Sequence, residues 1–121
     1  MLNRQRTVNS IIEFSGIGLH TGEMTNLKIK PAKENIGIVF IRIDKKKEYQ
    51  IKATIDNVID TKRGTTIGHG KYKIHTIEHL LAAFFAFGID NVYIEIDNIE
   101  PPIFDGSSKK YYNKLLKEGY K

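Results

Sequence analysis

The sequence predicts an α+β domain in which an antiparallel-rich sheet carries two helices on one face. Its first two-thirds consists of short segments rich in Val and Ile, separated by turn residues. After Ile74 the pattern changes to a stretch without Gly or Pro, followed by one strand and a second helical stretch. The predicted order is therefore several strands, a helix, a strand and a helix, forming a single domain over residues 1–121.

The predicted strands are bounded by turn residues or by charge. The first ends at Ser15-Gly16, a breaker pair, and the charged run Asp44–Glu48 is predicted to be an exposed hairpin turn. Gly68-His69-Gly70 is predicted to be a turn between two short strands. The segments with strand character are Thr7–Phe14, Met24–Ile29, Ile36–Ile43, Tyr49–Ile55, Thr65–Ile67, Lys71–Ile74 and Val92–Ile96.

Two helices are predicted from the residues at their boundaries. The first is predicted over Thr76–Phe87, with Thr76 as N-cap and Gly88 as the residue that ends it. The second is predicted over about Lys109–Lys117, after a turn and cap at Asp105-Gly106-Ser107-Ser108. Its predicted apolar face consists of Tyr112, Leu115 and Leu116.

The run Leu80–Phe87 is apolar around its whole circumference. A helix on one sheet needs only one apolar stripe, whereas an all-round apolar helix is buried on all sides. We therefore expect a second layer from outside this chain, either a second-domain polypeptide or a copy of the chain itself. The alternative is that the N-terminal segments wrap over the helix.

The composition is that of a folded protein whose metal ligands can come only from His, Asp or Glu. Of 121 residues, 40% are apolar, 27% are charged and none is cysteine. This excludes a disulfide framework, a cysteine nucleophile and Cys-ligated metal sites. A net charge of +5 favours anionic partners weakly.

The apolar pattern predicts no transmembrane segment. The basic start Met1–Arg6 is not followed by the apolar region of a signal peptide. The longest apolar run, Leu80–Phe87, is less than half of a membrane span. We expect a cytoplasmic protein.

The segment His75–His79 carries the chemistry. As H-x-x-E-H on one helix it would be an inverted zincin motif, with two zinc-binding His and a Glu that activates water. However, the preceding residues favour a strand, which would leave only Glu78 and His79 in the first helical turn. That arrangement suits one zinc ligand beside a general base, although a Glu in a first turn is also a common structural residue.

Four segments together resemble one enzyme family: Gly16–Gly22 (GIGLHTG), Thr76–Leu80 (TIEHL), Gly88–Val92 (GIDNV) and Glu100–Ser107 (EPPIFDGS). In this order and spacing the chain resembles the N-terminal half of UDP-3-O-acyl-N-acetylglucosamine deacetylase, the zinc amidase of lipid A synthesis in Gram-negative bacteria. The resemblance implies one half of a two-domain β-α-α-β sandwich, of the ribosomal protein S5 domain 2-like fold. The helices of both domains would pack between two outer sheets.

The resemblance also implies roles for single residues. Glu78 would be the general base that activates a zinc-bound water, and His79 one of three zinc ligands. His20 matches a family histidine near the active-site cleft, with Thr21 beside it in the same loop. Asp105 matches the family's Asp-Gly-Ser but reads as a turn or cap residue, and Thr76 is likewise a structural candidate.

Lys62 and Arg63 match no fixed family pattern and are candidates for the edge of the substrate cleft. Their charge would suit a diphosphate, although it is also ordinary for a protein surface.

The remaining parts of the family's site are expected elsewhere. The other two zinc ligands and a histidine general acid lie in the family's second domain, and no histidine follows His79 in these 121 residues. The resemblance therefore implies that this chain supplies one ligand to Zn²⁺ and that the second catalytic domain is absent from it. The intact enzyme would hydrolyse the 2-acetamido group of UDP-3-O-acyl-N-acetylglucosamine and release acetate, and the chain alone is expected to be inactive.

Two other classes of function stay open for this sequence. One is a non-catalytic interaction domain that buries its apolar helix against a partner. The other is an anion- or RNA-binding α+β module that uses the +5 charge. The lysine run at the predicted hairpin lacks interleaved aromatic residues, so we expect no nucleic-acid partner.

Overall fold

The computed structural model describes residues 5–19, 21–44, 47–54, 58–60, 65–69, 72–104 and 109–118. No helix in these ranges is long and apolar enough to cross a membrane. The elements in chain order are β1 (Ile12–Ile17), β2 (Met24–Pro31), β3 (Ile38–Asp44), β4 (Lys47–Lys52), β5 (Val58–Asp60), β6 (Thr66–His69), β7 (Tyr72–Ile74), α1 (Glu78–Phe87), β8 (Val92–Ile96) and α2 (Lys109–Glu118).

A five-stranded sheet with the order β1-β2-β8-β3-β4 forms the main layer. Its neighbours pair antiparallel except β3 and β8, which are parallel. In β2 the residues Thr25, Leu27 and Ile29 are buried while those between them are exposed or half-buried. Because side chains alternate across a sheet, this pattern gives one face to the core and leaves a polar face, where Lys30 and Glu95 form a 2.6 Å ion pair.

A second, three-stranded sheet leads into α1. Its order is β5-β6-β7, and β6 pairs antiparallel with β7 from Ile67–Ile74 to His69–Tyr72. The pairing of these two segments confirms the sequence prediction. His69 differs from it, because it is the last residue of β6 and not part of the turn.

Both helices pack on the apolar face of the main sheet. Leu80 and Phe84 of α1 belong to one buried cluster with Leu115 of α2 and the inward residues of β1, β2 and β8. The predicted α+β class with two helices on one face of an antiparallel-rich sheet is confirmed. Gly88 ends α1 as predicted, with a φ of 65° that suits a left-handed C-cap.

The prediction of which residues form the apolar face of α2 is partly wrong. Tyr111 and Leu115 are buried, whereas Tyr112 and Leu116 are 40% and 60% exposed. Tyr111 instead lies edge-on to Phe14 and Phe104, with ring centroids 4.8 Å and 5.2 Å away. Its position in this aromatic cluster sets the rotation of the helix.

The first strand begins later than predicted. It runs over Ile12–Ile17 and includes Ser15-Gly16, which the sequence suggested as a breaker. A Cβ at Gly16 would lie 2.8 Å from Cβ of Pro102 and 3.0 Å from the Phe104 ring. Glycine therefore stands here because another segment packs directly against the strand.

Candidate functional site

The start of α1 carries two of the residues that the sequence singled out, and a third, Thr76, lies just before it. The helix begins at Glu78, so Glu78 and His79 lie in its first turn as predicted. The N-cap is Ile77, which makes no side-chain cap, so the prediction of Thr76 as N-cap is wrong. Thr76 has a φ of 56°, a left-handed conformation that is strained by about 1–3 kcal/mol for a β-branched residue. Its hydroxyl group donates to Glu100 Oε2 at 2.6 Å.

His75 does not join His79 on a helical face. It lies between β7 and α1, and its Nδ1 is 2.8 Å from the hydroxyl group of Thr66. Its backbone N–H donates to the Ile99 carbonyl oxygen at 2.6 Å. The helical H-x-x-E-H zinc motif is therefore not formed.

One oxygen of the Glu78 carboxylate is held by the backbone of Thr65, the residue before β6. The N–H of Thr65 donates to Glu78 Oε1 at 2.6 Å, and the side chain is half-buried. Among the described residues no hydrogen bond to the other carboxylate oxygen, Oε2, is found. A carboxylate that the described residues hold through only one of its oxygens is suited to accept a proton from a bound water at the other.

His79 offers one imidazole, and the described residues do not complete a metal site around it. It is half-buried beside Glu78 in the first turn. Within the described ranges no group of three or more His, Asp or Glu side chains could hold an ion. Catalytic zinc sites use three protein ligands, so His79 fits one position of such a site and other ligands must complete it.

The loop after β1 approaches the same helix start. The backbone N–H of Thr21 donates to Glu100 Oε1 at 3.1 Å, while its hydroxyl group accepts from the N–H of Glu23. Thr21 is thus placed two hydrogen bonds from Thr76, through a single carboxylate. The other predicted site or structural residues, His20, Lys62, Arg63 and Asp105, lie outside the described residues.

Glu100 is the residue that sequence reasoning missed. It is fully buried, and its two carboxylate oxygens accept from Thr21 and Thr76. A signal was present, because Glu100 is the only ionisable residue in the stretch Ile99–Phe104. Buried carboxylates are rare unless hydrogen-bonded, so an acid in an apolar segment indicates a specific partner.

The outer side of α1 is apolar and exposed. Phe85 is 88% exposed, and Ala82 and Ala86 are exposed as well. On α2, the exposed Tyr112 stacks on the buried Phe87 of α1, with ring centroids 4.7 Å apart. Large exposed aromatic side chains on adjacent helices are typical of a protein interface.

Comparison with known proteins gives a consistent result. Residues 5–121 match the family described as LpxC, UDP-3-O-acyl N-acetylglycosamine deacetylase. The chain is similar to the bifunctional enzyme LpxC/FabZ of Chlorobaculum tepidum, 48% identical over 98% of this chain and 26% of the relative. It is also similar to UDP-3-O-acyl-N-acetylglucosamine deacetylases of Geobacter sp. strain M21 and Thermodesulfovibrio yellowstonii, at 44% and 47% identity over 97% and 95% of this chain. These matches cover 38% and 39% of the two deacetylases, so the chain spans less than two-fifths of the length of the relatives named here.

Proposed function

The chain belongs to the UDP-3-O-acyl-N-acetylglucosamine deacetylase family, and from this premise we propose that it forms the N-terminal half of such an enzyme. The reaction is hydrolysis of the 2-acetamido group of UDP-3-O-acyl-N-acetylglucosamine, in lipid A biosynthesis. Water adds to the amide carbonyl, the C–N bond breaks, and acetate and a free amine are released. The observation that carries the proposal is the placement of Glu78 and His79 in the first turn of α1.

Glu78 is the general base in this proposal. The Thr65 N–H donates to Oε1 at 2.6 Å and so restrains the carboxylate at one oxygen. Oε2 then takes a proton from the water that attacks the amide. Positioned bases of this kind contribute about 10²–10⁴-fold to a rate.

His79 is one ligand of a catalytic Zn²⁺. The zinc ion, when bound, supplies Lewis-acid polarisation of the amide carbonyl. The chain's contribution is a half-buried imidazole in the first turn of α1, next to the base. The other ligands come from a second domain, as do the rest of the substrate pocket and the general acid.

The exposed side of α1 is where that second domain packs. Phe85 is 88% exposed in this chain, although it lies on the helix that carries Glu78 and His79. A domain that covered Phe85 would bring its own side chains close to the start of the same helix. A second copy of this chain is the alternative occupant of that surface. A cytoplasmic location stays a prediction from the sequence.

The 121-residue chain alone is therefore expected to have no deacetylase activity. Activity should appear when the chain is combined with a second-domain polypeptide of a relative and Zn²⁺, and Glu78→Gln should lower kcat by about 10²-fold or more. Glu48→Gln is the matched control, since Glu48 lies exposed on β4. Acetate release would be measured with purified UDP-3-O-acyl-N-acetylglucosamine. Hydrolysis of this substrate by the chain alone, with one zinc ion bound, would contradict an active site divided between this chain and a second domain.

The exposed Phe85 also favours a second candidate, a non-catalytic interaction domain that binds a partner through α1. The same assay separates the two functions. If the reconstituted complex forms but Glu78→Gln leaves acetate release unchanged, Glu78 is not the base and the interaction domain is favoured.

A further inference from the structure

Glu100 connects two parts of the candidate site that are far apart in the sequence. Its Oε1 accepts from the Thr21 backbone N–H at 3.1 Å, across 79 positions of the chain. Its Oε2 accepts from the Thr76 hydroxyl group at 2.6 Å, across 24 positions. The side chain is fully buried, so water does not compete for these bonds.

On one side, the carboxylate holds the residue that leads into α1. Thr76 lies two positions before Glu78 and has a φ of 56°, which a β-branched side chain rarely adopts. Such a conformation persists only where surrounding contacts fix it. The Thr76–Glu100 bond and the adjacent bond from His75 N–H to the Ile99 carbonyl oxygen, 2.6 Å long, are two such contacts.

On the other side, the carboxylate fills the space inside the loop after β1. A Cβ at Gly18 would lie 2.7 Å from Glu100 Oε1 and 2.6 Å from the Thr21 hydroxyl oxygen. Gly18 and Thr21 therefore lie directly against the carboxylate, with no room for a side chain at Gly18. Gly18 also forms a bridge with Pro102, and the Ile103 N–H donates to the Ile17 carbonyl oxygen at 2.9 Å, so the whole Glu100 segment is fixed to the loop.

We propose that Glu100 is a positioning residue whose carboxylate couples Gly18 and Thr21, which follow β1, to the start of α1, and so sets the placement of Glu78 and His79. The proposal rests on the proposed function only for its effect on catalysis. The coupling itself is a property of this chain and can be measured without activity. Glu100 acts through Thr76 and Thr21 and does not touch the substrate.

Thr76 allows a sharp test, because one variant removes its hydroxyl group and another keeps it. Thr76→Val has the same shape and removes the donor to Glu100, whereas Thr76→Ser keeps the donor. Thr25→Val is a matched control, since Thr25 is also fully buried and its hydroxyl oxygen has no hydrogen-bond partner among the described residues. Glu100→Gln is a further variant that keeps one acceptor oxygen.

The first measurement is amide hydrogen exchange at Thr21 in the chain itself. In Thr76→Val the carboxylate loses the hydrogen bond from the Thr76 hydroxyl group, so protection of the Thr21 amide should fall about tenfold, while amides of β8 keep theirs. Thr76→Ser and Thr25→Val should match the wild type. Unchanged protection in Thr76→Val, or an equal loss over all amides, would overturn the coupling.

The second measurement is the kinetics of the reconstituted deacetylase. Thr76→Val and Glu100→Gln should lower kcat by about 10–100-fold with KM within about twofold, because misplacement of the base and ligand acts on the chemical step. Thr76→Ser should restore kcat to near the wild-type value. A rise in KM without a fall in kcat would overturn the positioning role. So would a Thr76→Ser variant as slow as Thr76→Val. If the wild-type complex has no activity, the proposed function fails, while the exchange measurement still decides the coupling.

Discussion

Thr65 and Glu78 are joined by a hydrogen bond of 2.6 Å from the Thr65 backbone N–H to Oε1 of the Glu78 carboxylate. Glu78 is also the acidic residue in the first turn of α1, where a negative charge interacts favourably with the helix dipole. The proposed base therefore has a structural contribution of its own. This contribution must be measured before a loss of activity is assigned to chemistry.

Glu78→Gln should lower the free energy of unfolding of this chain by about 0.5–1.5 kcal/mol, because the amide oxygen still accepts from Thr65 while the charge at the helix start is lost. Urea denaturation at pH 7 measures the change. Glu48→Gln, at an exposed strand position, should stay within about 0.5 kcal/mol of the wild type. An equal loss in both variants would mean that the negative charge of Glu78 contributes nothing specific to stability.

Tyr111 anchors the segment that carries Glu100. Its hydroxyl group donates to the Pro102 carbonyl oxygen at 2.6 Å, and both groups are buried. Tyr111→Phe keeps the ring contacts and leaves that carbonyl without its donor, so the free energy of unfolding should fall by about 1–2 kcal/mol. Tyr112→Phe, on the exposed side of α2, should change it by less than about 0.5 kcal/mol. Urea denaturation of the two variants side by side tests this, and equal effects would contradict it.

The same tyrosine predicts a pH dependence at high pH. Burial raises the pKa of Tyr111 well above its ordinary value. Above pH 10 the unfolded chain has released the phenol proton and the folded chain has kept it, so the folded state is progressively destabilised by up to about 1.4 kcal/mol per pH unit. The contribution of the protonated Tyr111 phenol to stability is fully present below pH 10, near its pKa in the unfolded chain. It is lost as the pH rises towards the pKa of Tyr111 in the folded chain.

The measurement is the difference in free energy of unfolding between wild type and Tyr111→Phe from pH 9 to 11. Because the lysines titrate in both proteins, their effect cancels in this difference. The gap should be constant below about pH 10 and should narrow above it, as only the wild type loses stability through this phenol. A gap that does not change across the range would show that the hydroxyl group titrates normally.

Elements with local signals could be predicted from the sequence. The strand Val92–Ile96 has the predicted bounds, and Gly88 ends α1 at the predicted residue. A clean alternation of apolar side chains and a glycine at a left-handed position are both determined within a few residues. Glu78 and His79 lie in the first turn of α1 as predicted, although the N-cap is Ile77 and not Thr76.

Features set by distant contacts could not be predicted. Two pairs at helical spacing, Tyr111 with Leu115 and Tyr112 with Leu116, are equally apolar, and packing against Phe14 and Phe104 decides which is buried. The role of Glu100 depends likewise on partners 24 and 79 positions away. No periodicity within a window of the sequence contains that information.

Gly88 offers a test of the C-terminus of α1. Its φ is 65°, and a Cβ there would meet no atom within 4 Å, so any cost of substitution comes from the backbone alone. Gly88→Ala should lower the free energy of unfolding by about 1–2 kcal/mol, and Gly88→Asn by clearly less because asparagine tolerates this conformation. Thermal or urea denaturation measures both. An alanine variant as stable as the wild type would contradict the left-handed cap.

Phe85 tests the proposed interface on α1. Since its side chain is 88% exposed, Phe85→Ser should change the free energy of unfolding of the chain by less than about 0.5 kcal/mol. The affinity of the Phe85→Ser chain for the second-domain polypeptide should nevertheless fall at least about tenfold, as expected for an aromatic residue central to an interface.

Ile11→Ser is the control, because Ile11 is 55% exposed and lies outside both helices. Titration calorimetry of both variants measures the affinities, and equal losses would contradict a specific interface. Sedimentation equilibrium of the chain alone completes the test: self-association that Phe85→Ser abolishes would assign the surface to a second copy, because the same side chain cannot be covered by both partners.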